Sequence, residues 1–307
     1  MGSSAHPVKG TGPGAGPGSR AIGAPLSVIR HRASTLRERL REPKPRCRAL
    51  VRQLATGRAG LEIGGPTAMF QRSLPVYPVI ERLDNVNFSN STTWEGEITE
   101  GNTFAFHPRR APGRQYILEA TDLASIPDGA YGLLLSSHTL EHTANPLQAL
   151  SEWRRVLAAD GCLIMVLPHK EGTFDHRRPV TTLEHLIADF EHRTGEDDLS
   201  HYDEIMALHD LALDPGAGSP AAFATRSKDN AVNRCFHQHV FDTNLALAVI
   251  DQAGFQALAV EPLLPHHIIV VAQSVESPDN AQVMGPEADW RAASPFRLDD
   301  VGDVPSH

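Results

Sequence analysis

A doubly wound α/β sheet is the fold class this sequence predicts, on three observations. Short apolar runs alternate with amphipathic stretches from about residue 58 to 275. The run ending at Ile63 passes straight into Gly64-Gly65, a turn that brings bare backbone close to a neighbour. Cys162–Leu167 is apolar throughout, as a central strand covered on both faces should be.

The elements follow in order. Arg58–Ile63 reads as the first strand, with Glu62 beside the glycine pair. Val79–Leu83 reads as the second, closed by Asp84 about 20 residues after the turn, where a Rossmann-like unit holds a ribose. After a polar loop containing Trp94, Tyr116–Glu119 and Gly132–Ser136 give the third and fourth strands. Asn145–Leu157 carries Leu147, Leu150, Trp153, Val156 and Leu157 at helical spacing, with Pro146 suited to the first turn. Asp160-Gly161 then turns the chain into the fifth strand, Cys162–Leu167. Thr243–Ala253 reads as a helix stopped by Gly254, and Phe255–Val260 and His267–Ala272 as an antiparallel hairpin at the sheet edge. Residues 172–241 exceed an ordinary connection and read as a helical lid. One apolar face of the lid is Leu183, Leu186, Ile187 and Phe190, and a second is Leu199, Ile205, Leu208 and Leu211.

Composition sets the class. Hydrophobic content of 41% supports a real core, and no run approaches the ~18 apolar residues of a membrane span. The formal charge of −9 argues against non-specific nucleic-acid binding. Cys47, Cys162 and Cys235 are odd in number and widely spaced, which fits a reducing cytoplasm better than a disulfide framework. Residues 1–24 are Gly/Pro/Ala-rich and read as a disordered tail without a secretory signal. Residues 25–57 read as an Arg-rich helical segment, 58–275 as the folded body, and 276–307 as a polar tail. Oligomeric state stays open, with a homodimer allowed.

Several segments together resemble class I S-adenosylmethionine-dependent methyltransferases of the type 11 group. They are Leu61–Thr67, Ala120–Leu123 with Ile126-Pro127-Asp128, Ser137–His142, Trp153–Leu157 with Gly161, and Val166-Leu167-Pro168. The chain is similar still to a bacterial subgroup carrying Pro168–Lys170, Phe174–Leu186, His209–Leu211 and Asn233–Phe241. The resemblance implies a seven-stranded, mostly parallel sheet with its last strand antiparallel, helices on both faces, and S-adenosyl-L-methionine as cofactor. It implies that Glu62 and the Gly64/Gly65 backbone face the amino-acid end of the cofactor. Asp84, with Asn85 as helper, would hold the ribose; Thr121-Asp122, or else Glu119, would meet the adenine. Ser137 and His138 would line the methyl end. The chain departs from Gly-x-Gly-x-Gly in having only Gly64 and Gly65, and Pro66 supplies no N–H.

Histidine points to the acceptor chemistry. Twelve of the 16 histidines lie between His138 and His267, within the body that builds the site. Methyl transfer is governed by positioning and by loss of a proton from the acceptor, and imidazole removes protons near neutral pH. His169 and His176 follow the fifth strand and are the expected acceptor contacts or bases, with Asp175 as orienting carboxylate. His142 joins them as a substrate contact. Arg177, Arg178, Arg226 and Arg234 are placed to clamp an acidic group on the substrate.

A metal centre is the competing expectation. His237-x-His239 would put two rings on one side of a strand, and His209-Asp210 would add ligands. His266 and His267 are adjacent and would face opposite ways on a strand. No ligand set shows a recognised spacing, so no metal is expected. The charge and the polar lid favour a small polar acceptor, a sugar or natural-product intermediate methylated on oxygen or nitrogen. A protein or RNA methyltransferase would need a basic surface, which only 26–57 offers. A non-catalytic cofactor-binding protein is the third class, supported by the missing glycine alone.

Overall fold

The computed structural model describes residues 44–296. The expected tail at 1–24, the start of the 25–57 segment and residues 297–307 lie outside the described residues. The strands are β1 Ala59–Ile63, β2 Arg82–Asn87, β3 Ser91–Thr92, β4 Gly96–Glu97, β5 Gly101–Phe104, β6 Gly113–Ile117, β7 Tyr131–Ser137, β8 Leu157–Pro168, β9 Phe255–Leu263 and β10 His267–Ser274. β3 and β4 form a separate small ribbon, and the other eight make one sheet in the order β5-β6-β2-β1-β7-β8-β10-β9. From β6 to β8 the pairs are parallel, and β10 runs antiparallel to both β8 and β9. With β5 set aside, this is the expected seven-stranded arrangement with one reversed strand. β5 is an addition, an eighth strand antiparallel to β6.

Two strands sit differently from expectation. The apolar run expected as Val79–Leu83 is a buried turn, with Ile80 in the core, and β2 starts only at Arg82. The third main strand is Gly113–Ile117 rather than Tyr116–Glu119. The cause is burial of polar groups: Asn85 and Gln115 sit inside the sheet because their amides bond each other, Nδ2 to Oε1 at 2.9 Å. An apolar-run criterion passes over such strands.

Helices α1 Arg48–Ala55, α2 Pro146–Val156, α3 Leu183–His192, α4 Tyr202–Leu208, α5 Pro220–Lys228, α6 Asn230–Asn233, α7 Thr243–Gln252, α8 Ala281–Met284 and α9 Asp289–Ala293 complete the fold. α2 starts on an Asn145 side-chain cap with Pro146 in its first turn, and buries Leu147, Leu150, Trp153 and Val156. α2 and α7 cover one face of the sheet, through a core that includes Leu61, Ile63, Leu134 and Met165. α1 and the turns over 69–80 cover the other, through Phe70, Tyr77, Leu135 and Ile164. Between β1 and β2 the only helical turn is Met69–Ser73, and β2 reaches β6 through the ribbon and β5 without a helix.

The connection from β8 to β9 carries α3 to α7. Within it, Ile205, Ala217, Phe223 and Phe236 form a small core of their own, and Leu186 joins the main one. Phe190 and Leu199, expected on buried faces, are exposed. The polar stretch after 275 packs onto the body as far as Phe296. Trp290 is buried and donates to the Val283 carbonyl, and Asn280 bridges Asp251 and the Phe255 carbonyl. No helix among the described residues is long and apolar enough to cross a membrane.

Candidate active site at the strand tips

The turn after β1 is tightly closed. Gly64 adopts φ +80°, and a Cβ there would lie 2.7 Å from Thr139 Oγ1, so only glycine fits beside the loop after β7. Thr139 in turn donates to the Ile63 carbonyl at 3.2 Å, tying the β7 tip to the β1 tip. Gly64 N–H donates to Val86 O, and Gly65 N–H to Asn85 Oδ1, while Asn85 Nδ2 donates back to Gly65 O. Glu62 lies under Gly65, fully buried, and accepts from Tyr77 OH at 2.8 Å and from Thr67 Oγ1 at 3.2 Å. Glu62, Gly64, Gly65 and Asn85 therefore meet at one tip, but their polar groups are engaged with one another or with Tyr77, Thr67 and Val86.

Burial raises the Glu62 carboxyl from 4.5 to about 8, against the opposing hydrogen bonds from Tyr77 and Thr67. A folded-state value raised above the unfolded one means a stability contribution present in full below about 4.5. That contribution is lost as the pH rises through about 8. Glu62→Gln is therefore expected to gain on the wild type as the pH rises across that window. Denaturation midpoints measured at the two ends test this; parallel curves would contradict it.

Asp84 corrects the sequence reading. It is the third residue of β2, paired with Leu61, and not the residue that closes the strand. Its Oδ1 accepts from Arg114 N–H and its Oδ2 from Tyr131 OH, both at 2.9 Å, inside the sheet. The polar residue at the end of β2 is Asn87, whose Nδ2 lies 3.5 Å from Gly65 O. Beyond β6, Thr121 accepts from Gln148 through its carbonyl, and Asp122 is exposed with Oδ1 accepting from Ala124 N–H. Glu119 is held by Arg234 at 2.8 Å.

The β7 tip gathers imidazoles. His138 follows Ser137 in the left-handed region, φ +54°, and its Nε2 lies 3.0 Å from His267 Nδ1. His266 precedes β10, in the turn, so both it and His267 pack against the His138 ring despite being adjacent. Glu141 is fully buried, and neither of its carboxylate oxygens has a hydrogen-bond partner among the described residues. Around its Oε1 stand His138 Nδ1 at 3.6 Å, His142 Nε2 at 3.8 Å and His237 Nε2 at 3.9 Å. Burial opposes ionisation of Glu141, yet the three imidazoles hold its carboxyl down at about 2. Burial, then His237, pushes His142 down to about 4.

The expected catalytic set is redistributed. Asp175 is buried and accepts from His237 Nδ1 at 2.5 Å and from Arg178 at 3.1 Å, so it orients His237 and not His169 or His176. His169 is fully buried and stacks on Phe296, with ring centroids 4.0 Å apart. His176 pairs with Asp210 at 3.0 Å at the lid surface, as does the exposed Arg177 at 2.7 Å. Arg178 is spent on structure: it reaches Asp175, Glu204 and the carbonyls of His237 and Gln238. Arg226 pairs with Asp214, and Arg234 with Glu119 and Glu196.

Sequence reading gave Glu141 and His237 no role at the tip. The Leu140-Glu141-His142 run was visible, but its partner His237 lies 95 residues on, so only the fold shows the pairing (237 − 142). No strand carries His237 and His239, and their rings diverge. His239 joins His185 and His201, and His209 faces Asp214.

Among known proteins, a family model described as a methyltransferase domain matches residues 102–165. No curated protein matches. Similar solved structures include a SAM-dependent methyltransferase from Aquifex aeolicus, 12% identical over 78% of this chain and 96% of that one, TM-score 0.39. Another is the Burkholderia thailandensis 1,6-didemethyltoxoflavin-N1-methyltransferase, bound to 1,6-didemethyltoxoflavin and S-adenosylhomocysteine. It is 11% identical over 85% of this chain and 94% of that one, TM-score 0.41. A third is an S-adenosylmethionine-dependent methyltransferase from Mesorhizobium loti, 11% identical over 73% and 96%, TM-score 0.43. At these scores the fold assignment stands on the chain's own strand order. That order is the Rossmann-like sheet the resemblance implies, and the family model covers residues 102–165 of it.

For S-adenosylmethionine, the cofactor the resemblance implies, two polar groups at the tips stand where its nucleoside end would lie. Asp122 presents an exposed carboxylate after β6, and Asn87 an amide at the end of β2. The Gly64–Gly65 turn, where the resemblance puts the amino-acid end, has its N–H donors used internally.

Proposed function

We propose that the chain transfers a methyl group from S-adenosylmethionine to an oxygen or nitrogen of a small polar metabolite. Bound, the cofactor supplies an electrophilic methyl carbon on a sulfonium. In this reading Asp122 accepts from the adenine amino group, Asn87 takes the ribose place first given to Asp84, and the Gly64–Gly65 turn borders the amino-acid end. His138 and His142 border the acceptor. The observation that carries the reading is the joining of the β1 and β7 tips through Thr139, beside a buried carboxylate ringed by imidazoles.

The chain's own work is then positioning and proton handling. Asp175 only accepts, so His237 keeps a proton on Nδ1; burial opposes protonation of the ring, but the Asp175 and Glu141 carboxylates raise its pKa. Phe236 O fixes His142 in the same sense, through Nδ1 at 3.1 Å. An acceptor hydroxyl or amine entering here meets proton acceptors already oriented. The polar groups of the lid and the chain's net charge of −9 support a small polar acceptor.

Asp122→Ala is expected to weaken S-adenosylhomocysteine binding about three- to tenfold, the value of one hydrogen bond. Asp84→Asn should leave that affinity unchanged, because its partners lie inside the sheet. The opposite ranking would return the ribose role to Asp84. Activity itself is tested with methyl-tritiated cofactor against fractionated polar metabolites. Label found only in protein or RNA would overturn the small-molecule acceptor.

A further inference from the structure

We propose that Glu141, His142 and His237 form a binding site for a divalent metal ion of the zinc type. Two imidazole nitrogens and one carboxylate are a donor set that holds zinc with one position left open. One ligand atom from each residue lies within 4.8 Å of the others. Ligands about 2.0–2.1 Å from a tetrahedral ion stand roughly 3.3 Å apart, so the 3.8 and 3.9 Å separations need to close by only about half an ångström.

Two further features distinguish this group from a chance cluster. Each histidine is held from behind at Nδ1, His142 by the Phe236 carbonyl and His237 by Asp175, which is how metal-ligating imidazoles are oriented. Asp175 is itself fixed by Arg178, so the support is rigid. The Glu141 carboxylate is fully buried with both oxygens lacking a hydrogen-bond partner among the described residues, a costly state that a bound cation relieves. His142 keeps 16% of its side chain exposed and the neighbouring His138 29%, which leaves an entry path. Any part the ion plays in polarising an acceptor oxygen rests on the methyltransferase reading; its binding does not.

The test uses the full chain, stripped with chelator, reloaded with zinc chloride, desalted and assayed for metal by mass spectrometry. The expected result is about one zinc per chain. Glu141→Gln and His142→Ala should each weaken zinc binding tenfold or more, while His201→Ala, in the lid cluster, leaves it unchanged. Zinc retained by both tip variants and lost from His201→Ala would overturn the proposal, as would a wild type that retains none. Should the tip variants fail to fold, anomalous diffraction at the zinc edge from zinc-soaked wild-type crystals decides. A peak between Glu141, His142 and His237 supports the site. A peak at the His138–His266–His267 or His185–His201–His239 group, or none, refutes it. Cofactor binding, measured separately by calorimetry, keeps failure of this site distinct from failure of the methyltransferase reading.

Discussion

Replacing Arg178 with alanine is expected to lower the unfolding midpoint by about 10 °C. The guanidinium is 1% exposed and donates to Glu204 at 2.7 Å, Asp175 at 3.1 Å, and the His237 and Gln238 carbonyls at 2.9 and 3.2 Å. Its removal leaves the buried Asp175 carboxylate with His237 as its one remaining charged partner among the described residues, and strips the His237 and Gln238 carbonyls of their donor. Breaking a buried pair from one side costs about 3–5 kcal/mol. At roughly 2–4 °C per kcal/mol for a body of this size, that gives the stated shift. Lysine should not rescue, because one ammonium cannot span acceptors arranged for a planar fork. The Asp175 part also has a pH signature. Burial opposes its ionisation, but His237 and Arg178 hold its carboxyl down at about 2. The stabilisation is thus present above the ordinary 3.8 and is lost as the pH falls through about 2. A variant melting within about 2 °C of wild type at neutral pH would mean that the lid is not anchored here.

Valine at position 64 should be the most damaging change at the site itself. The backbone there is left-handed, which costs a branched residue about 1–3 kcal/mol. The added side chain also meets Thr139, and moving Thr139 breaks its bond to Ile63 O, the link between the two strand tips. Gly57 is a built-in control, with φ +72° and nothing within 4 Å of a Cβ. Gly57→Val should show the backbone cost alone. Gly64→Val should show that cost plus at least a tenfold loss of S-adenosylhomocysteine affinity, worth about 1.4 kcal/mol. Equal affinity in the two variants would remove the turn from the cofactor site.

The strands that sequence reading placed well are those whose burial is apolar. β1, β7, the apolar part of β8 and the closing hairpin follow from runs of Leu, Ile and Val. β2 and β6 did not, because Asp84, Asn85, Asn87 and Gln115 are buried in them by pairing with groups distant in sequence. The misplacement of β2 carried Asp84 to the wrong place. The site was half legible for a related reason. The turn after Ile63 and the Ser137–His142 run are local signals and were visible. Asp175, Arg178 and His237 depend on a fold that brings residues 59 to 62 positions apart into contact (237 − 178 and 237 − 175). The nominated His169 and His176 follow β8 as expected, yet their side chains leave the tip for Phe296 and Asp210. Position after a strand does not fix where a ring points.

The central claim is that a sulfonium nucleoside binds across the tips of β1, β2, β6 and β7. Titration calorimetry of the wild-type chain with S-adenosylhomocysteine tests it most directly. The account predicts one saturable site per chain, weakened by Asp122→Ala and weakened at least tenfold by Gly64→Val. Absence of any binding by the folded wild type, or saturable binding indifferent to both substitutions, would contradict it.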